Sequence, residues 1–225
     1  MRVTLIIPAL EEAAVIGDVV RRVPRAAVGE VIVVDNGSTD ATAAVATRAG
    51  ARVIVEPRRG YGAACWAGVQ ALAAGVDVAA FLDGDGSQRP EELPCVLAPV
   101  LASTADLALG TRRHAGHHPV HARFGTRLEA GFIAVRYGVR LTDLGPLRAI
   151  RVELLRRLDM RDRAFGWPVE MVVKAAALRA RIVEVEVTQA PRAGGRSKVS
   201  GTLTGSLRAG YAFVTTAVRA ARDVS

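Results

Sequence analysis

The chain is expected to fold as one α/β domain, a layered sheet flanked by helices, and three observations predict it. Short apolar runs alternate with helix-length segments through the first half of the sequence. Those runs are apolar almost throughout, the pattern of strands whose two faces are both covered, as in a parallel sheet. The chain has 225 residues, 50% of them hydrophobic and 23% charged, enough apolar material for one core. With a mean hydropathy of +0.23, disorder is excluded as a global description.

Strands are expected at Val3–Ile7, Val31–Val34, Arg52–Val55, Val78–Leu82 and Leu107–Leu109. The helix after Asp35 starts at Ser38 or Thr39, carries Asp40 in its positively polarised first turn and stops at Gly50; the next runs from Ala63 to Gly75. Past Arg112 the character changes. An Arg- and His-rich loop to Arg123 holds all four histidines. His117 and His121 have the spacing of a helical metal pair, but Pro119 between them favours a basic loop that closes over a site. A helix then places Phe124, Leu128, Phe132 and Val135 on one face, with Arg123, Arg127 and Arg136 off it. A helix over Val169–Leu178 carries a Glu170–Lys174 pair. Ile182–Val187 alternates as a half-exposed strand, and Pro191–Lys198 is basic and glycine-containing. In the tail, Leu203, Leu207, Tyr211, Val214 and Val218 form one stripe with Arg208, Arg219 and Arg222 off it. That stripe has two readings: it makes a peripheral contact with an anionic membrane, or it packs on its own sheet.

There are 30 Lys and Arg against 22 Asp and Glu, a formal charge of +8, so anionic partners are favoured. Aromatics are only 4% and no binding motif is present, which argues against nucleic acid. Cys65 and Cys95 are too few for a disulfide framework and read as small core residues in a reducing compartment. No segment has the ~18 to 20 apolar residues of a membrane span, and the first ten residues lack the features of a signal peptide. The expected location is cytoplasmic.

The strongest chemical signal is Phe81-Leu-Asp83-Gly-Asp85, where a strand delivers two hard oxygen ligands to the carboxyl edge of a sheet. Two carboxylates suit Mg2+ or Mn2+, which take one or two from protein and fill the rest of their shell with water and phosphate oxygens. Asp35 ends another strand and is placed to accept hydrogen bonds from a base or ribose; Asp40 is explained as helix-terminus electrostatics. Glu11 and Glu12 follow the first strand, so three strand ends define one pocket. Arg58-Arg-Gly60-Tyr-Gly62 opens a helix and is expected to approach phosphate, but its position after the third strand does not match a dinucleotide fingerprint.

Together these segments resemble the nucleotide-sugar glycosyltransferases of family 2, and within them the polyprenyl-phosphate (dolichol-phosphate) mannose and glucose synthases. The matching pieces are Ile7-Pro8-Ala-Leu-Glu11-Glu12, Val34-Asp35-Asn-Gly-Ser-Thr-Asp40, Gly60-Tyr-Gly62, Asp83-Gly-Asp85 with Pro90-Glu91, Gly110-Thr-Arg112 and Arg192-Ala-Gly-Gly-Arg-Ser197-Lys198. The resemblance implies a glycosyltransferase A type fold over residues 1–225. It implies that residues 1–112 bind the nucleotide sugar, that 113–200 meet the acceptor and that 201–225 form an amphipathic helix. Pro8, Glu12, Asp35 and Gly62 would contact the donor, Asp83 and Asp85 the metal diphosphate. Arg112, Arg123, Arg192, Ser197 and Lys198 would meet phosphates. Ser87 stands where the lipid-phosphate enzymes carry Gln, and Thr142-Asp143-Leu-Gly145-Pro-Leu-Arg148 replaces their Asp-x-x-Ser-Gly-aromatic-Arg. The implied reaction inverts the anomeric centre. A polyprenyl phosphate acceptor needs no protein base, whereas a small hydroxyl acceptor needs one, for which Asp143 is the candidate. A catalytically silent nucleotide-sugar binder is the further alternative.

Overall fold

The computed structural model describes residues 1–112, 131 and 134–190, without the side chain of Arg112. Seven strands form one sheet: β1 (Val3–Ala9), β2 (Glu30–Asp35), β3 (Arg52–Val55), β4 (Val78–Phe81), β5 (Leu107–Arg112), β6 (Arg148–Arg151) and β7 (Ile182–Val187). Their order is β3-β2-β1-β4-β6-β5-β7. Besides a 3-10 turn at Pro90–Glu92 and the helical residues 134–137, six helices accompany them among the described residues: α1 (Ile16–Arg22), α2 (Thr42–Arg48), α3 (Tyr61–Gln70), α4 (Leu93–Leu101), α5 (Val152–Arg157) and α6 (Trp167–Ala177).

The apolar runs do bury both faces. Leu5, Ile7, Val31, Val33, Ala80 and Leu82 join one core with Ile16, Val19, Val20, Leu93, Val96 and Leu97. The alternate residues Ile6, Ile32, Val34, Ala79 and Phe81 join a second core with Ala64, Cys65, Leu155, Trp167 and Met171. A strand with a period of two and a core on each side has no position left for polar residues.

The departures from expectation have local causes. The sheet is mixed, because β6 runs antiparallel to both β4 and β5. β6 is Arg-Ala-Ile-Arg, too short an apolar run to stand out in the sequence. α2 begins at Thr42, not Ser38 or Thr39, because Asp40 accepts hydrogen bonds from the Thr42 N–H and hydroxyl ahead of the first turn. α3 starts earlier than expected, at Tyr61, and stops at Gln70, and the chain turns at Gly75 with φ +78°. Cys65 is core but Cys95 is exposed. Val135 lies in a helical stretch and is 91% exposed, so it is not on a buried face; Phe124, Leu128 and Phe132 lie outside the described residues. No helix of the described residues is long and apolar enough to cross a membrane.

Candidate active site

β1, β2 and β4 deliver their ends to one edge of the sheet. Ala9 pairs with Asp35, Asp35 with Val55, and Ile6 with Phe81, so the Asp83–Asp85 turn leaves β4 level with the end of β1. Gly84 packs there: a β-carbon on it would lie 3.2 Å from the Pro8 carbonyl oxygen. The first two loops are stitched together by short polar side chains. The Glu11 N–H donates to Ser38 Oγ (2.9 Å), the Glu12 N–H to Thr42 Oγ1 (2.8 Å), and Thr39 donates its N–H to Glu11 Oε1 (2.7 Å). Glu12 and Asp35 are both 6% exposed. Asp35 Oδ1 accepts the Ser38 N–H at 2.9 Å, while its Oδ2 has no hydrogen bond among the described residues. Asn36 ties this edge to the next loop, donating to the Glu56 and Arg58 carbonyls (3.0 and 2.7 Å) and accepting the Gly60 N–H (2.8 Å).

The two carboxylates of the Asp-Gly-Asp turn are held differently. Asp83 Oδ1 accepts the Tyr61 hydroxyl at 3.1 Å and Oδ2 accepts Gln88 Nε2 at 3.4 Å, while its own N–H donates to Gln88 Oε1 at 3.1 Å. Asp85 Oδ1 accepts the Ser87 N–H at 2.9 Å. Burial, and then the negative charge of Asp85, push the Asp83 carboxyl up to about 6; the Tyr61 and Gln88 hydrogen bonds and Arg148 pull the other way. Two carboxylates that repel one another in a semi-enclosed site are a donor set suited to a divalent cation. Among the described residues no third ligating side chain completes a cluster, and Mg2+-like ions do not require one. Gln88, the residue after Ser87, supplies an amide to Asp83.

Asp143, 8% exposed, lies in the loop before β6, whose first residue Arg148 pairs with Phe81 two residues from Asp83. Glu184 on β7 accepts the Thr142 and Asp143 N–H groups (2.8 and 3.0 Å), and Gly110 on β5 donates its N–H to the Leu147 carbonyl (2.7 Å). The expected basic segment is entered from the same place. Ala190 donates to the Ser87 carbonyl (2.8 Å), Gln88 and Gln189 form a bridge, and Thr188 bonds Glu92 through its N–H and hydroxyl (both 2.7 Å). Arg192, Ser197 and Lys198, like Arg123, lie outside the described residues; Arg112 ends β5 beside Val187.

Gly62 has a different neighbour from the phosphate expected of it. The N–H groups of Gly62 and Ala63, at the start of α3, donate to the Ala164 and Arg163 carbonyls, each at 2.9 Å. A β-carbon on Gly62 would lie 2.5 Å from the Asp162 carbonyl oxygen, and one on Gly60 would lie 2.2 Å from that of Arg163. These glycines admit a protein loop, residues 159–166, which Arg163 also fastens by lying 4.5 Å over the Trp66 ring. That loop is clamped from below: Glu170 accepts the Arg161 and Asp162 N–H groups and pairs with Lys174 at 2.8 Å, with both side chains buried. The Glu170–Lys174 pair expected on a helix is therefore an interior ion pair. Tyr61, Gln88, Arg148 and Glu184 were not expected as site residues; for Tyr61 the signal was its place inside Gly-Tyr-Gly, and for Arg148 its place at the end of the Thr142–Arg148 segment.

A glycosyl transferase family 2 model matches residues 4–177, and the chain belongs to that family. It is 44% identical over 207 residues to an uncharacterised glycosyltransferase of Mycobacterium tuberculosis, covering 91% of this chain and 93% of the other. It is 36% identical over 222 residues to the undecaprenyl-phosphate mannosyltransferase of Micrococcus luteus (91% and 90% covered). To the polyprenol monophosphomannose synthase of Mycolicibacterium smegmatis it is 32% identical over 221 residues (89% and 82%). Among solved structures, glucosyl-3-phosphoglycerate synthase of Mycobacterium tuberculosis, in complex with Mn2+, UDP-glucose and phosphoglyceric acid, superposes with a TM-score of 0.79 at 24% identity, covering 98% of this chain and 80% of that one. The fold is the glycosyltransferase A type, as the sequence led one to expect.

Proposed function

We propose that this glycosyltransferase moves a sugar, with inversion, from a nucleoside-diphosphate sugar to the phosphate of a polyprenyl phosphate. The observation that carries the donor side is the meeting of Pro8, Asp35, Asp83 and Asp85 at one sheet edge. Asp35 Oδ2 accepts a hydrogen bond from the base or ribose, and Pro8 and Glu12 wall the same end of β1. Asp85 and Asp83 would hold Mg2+ or Mn2+, which would supply positive charge to the leaving diphosphate. Tyr61 and Gln88 fix Asp83, so the carboxylate pair is arranged before substrate arrives.

The acceptor assignment is supported by the two relatives named for polyprenyl or undecaprenyl phosphate, each aligned over most of both chains. A phosphate monoester, with a second pKa of about 6, is already an anionic nucleophile at neutral pH. The chain's task toward it is to supply positive charge, for which Arg112, Arg123, Arg192 and Lys198, with the Ser197 hydroxyl, are the proposed groups. One observation favours a hydroxyl acceptor: Asp143, a carboxylate in a loop anchored beside β4, is the base such an acceptor needs. The test is release of nucleoside diphosphate from a panel of UDP- and GDP-sugars, with and without Mn2+, in the presence of a short polyprenyl phosphate or of small hydroxyl acceptors. Metal-dependent release stimulated by the lipid phosphate is expected. Stimulation by hydroxyl acceptors alone would overturn the acceptor assignment, and no release from any donor would overturn the whole reading.

A further inference from the structure

Arg148 is a guanidinium inside the protein. It is 2% exposed and forms no ion pair among the described residues. Instead its nitrogens reach two separate segments. Nη2 donates to the Gly145 carbonyl at 2.6 Å and to that of Leu144 at 3.3 Å; Nη1 donates to the Pro168 carbonyl, in the first turn of α6, at 3.0 Å and lies 3.9 Å from Met171 Sδ. The backbone of the same residue pairs with Phe81. One residue thus joins, by its side chain, the loop that carries Asp143 and the helix behind it and, by its backbone, the strand that leads into Asp83. Burial lowers the guanidinium's pKa, and Tyr61, Cys65, Asp83 and Asp143 act in the opposite direction. A buried charge without a direct counter-ion is costly to keep, which calls for a function that an apolar residue of equal size would not serve.

We infer that Arg148 is a positioning residue for sugar transfer: it sets where the 143–147 loop stands relative to the Asp83–Asp85 pair, and therefore governs the acceptor step and not donor binding. The planar fork is essential to this, because bonds to two segments in fixed directions are beyond a single ammonium. A second feature holds the same loop from the other side. Gly145 lies so close to β5 that a β-carbon would be 1.8 Å from the Gly110 carbonyl oxygen. G145A therefore pushes the loop, and with it the carbonyl that Arg148 holds, away from β5 while leaving the arginine itself in the sequence.

The kinetic part of this inference rests on the proposed transfer reaction; its structural part does not. The experiment compares wild type, R148K and G145A by three readings: the Kd of UDP or GDP with Mn2+, the kcat and KM for transfer to a short polyprenyl phosphate, and amide hydrogen exchange over residues 142–147. Both variants are expected to lose roughly 10- to 100-fold in kcat/KM for the acceptor, to keep the nucleotide Kd within about twofold, and to exchange faster over 142–147. Unchanged exchange and acceptor kinetics in G145A would overturn the inference, and so would a nucleotide Kd that rises in step with the acceptor defect. If R148K does not fold, G145A decides alone. Failure of the wild type to use polyprenyl phosphate would count against the proposed acceptor, while the exchange comparison would still decide the role of Arg148.

Discussion

The proposed donor edge and the proposed acceptor edge of this sheet are built from different materials. At the proposed donor edge the loops after β1 and β2 are joined by Ser38, Asp40 and Thr42, short side chains that accept the N–H groups of residues 11–13, and by Glu11, which accepts the Thr39 N–H. At the proposed acceptor edge the work is done by long charged side chains that hold backbone groups: Arg148 the Pro168 carbonyl, Glu184 the Thr142 N–H, and Glu170 the 161–162 N–H groups. Short polar residues at a strand end cost little to desolvate and are individually replaceable. A buried Arg, Lys or Glu is expensive to bring inside and more expensive to leave half-paired. The acceptor side should therefore be the more sensitive of the two to single substitutions.

The sharpest way to break that contrast is K174M, which leaves Glu170 as an unpaired buried charge. It should cost about 3–5 kcal/mol of stability, read from the urea midpoint, with E170L/K174M recovering much of it. A loss below about 1 kcal/mol would mean the pair behaves like a surface one. Next, D85N should lower turnover by roughly 100- to 1000-fold, the scale for losing one transition-state electrostatic contact, while metal-free nucleotide binding persists in a direct titration. Full turnover in D85N would remove the carboxylate pair from the mechanism.

The pH dependence of the site follows from Asp83, whose carboxyl is raised to about 6 from an ordinary value of 3.8. The folded chain takes up that proton before the unfolded chain does, so the cation-free protein gains stability as pH falls from neutrality through about 6. Mn2+ binding needs the carboxylate and should weaken over the same interval, reaching about tenfold weaker one unit below that pKa. An Mn2+ titration that is flat from neutral pH to about 5 would contradict the assignment of Asp83. The smallest expected effect is that of Y61F, which removes one of the hydrogen bonds to Asp83. It should weaken Mn2+ binding by about 1 kcal/mol, the net value of such a bond, with no change in the melting of the acceptor half.

How far the sequence reveals this molecule follows the same division. Strand ends marked by a proline or a carboxylate, as at Pro8 and Asp35 and just past β4 at Asp83, are visible because the apolar run and its stop are adjacent in the chain. Asp40 was legible as a helix-end residue, though it opens α2 later than its neighbours suggest. β6 was not legible: four residues with arginine at both ends carry too little periodicity, and its antiparallel pairing is a tertiary fact. Gly60 and Gly62 showed that close approach was needed but not what approaches, and the answer is the 159–166 loop. The interior setting of Glu170 and Lys174 was equally hidden, since their spacing suits a solvated helix face as well as a clamp. Arg148, Glu184 and Gln88 act on partners 20, 42 and 5 residues away; the local sequence hints at Gln88 beside Ser87 and at Arg148 closing the Thr142–Arg148 segment, and offers nothing for Glu184.

The most direct test of the account is transfer of labelled sugar from a UDP- or GDP-sugar into a polyprenyl-phosphate product, measured for the wild type with Mn2+, without it, and for D85N with it. The account predicts labelled lipid in the first case and a loss of product in the other two. Equal labelling in all three, or sugar found only on a hydroxyl acceptor, would contradict it.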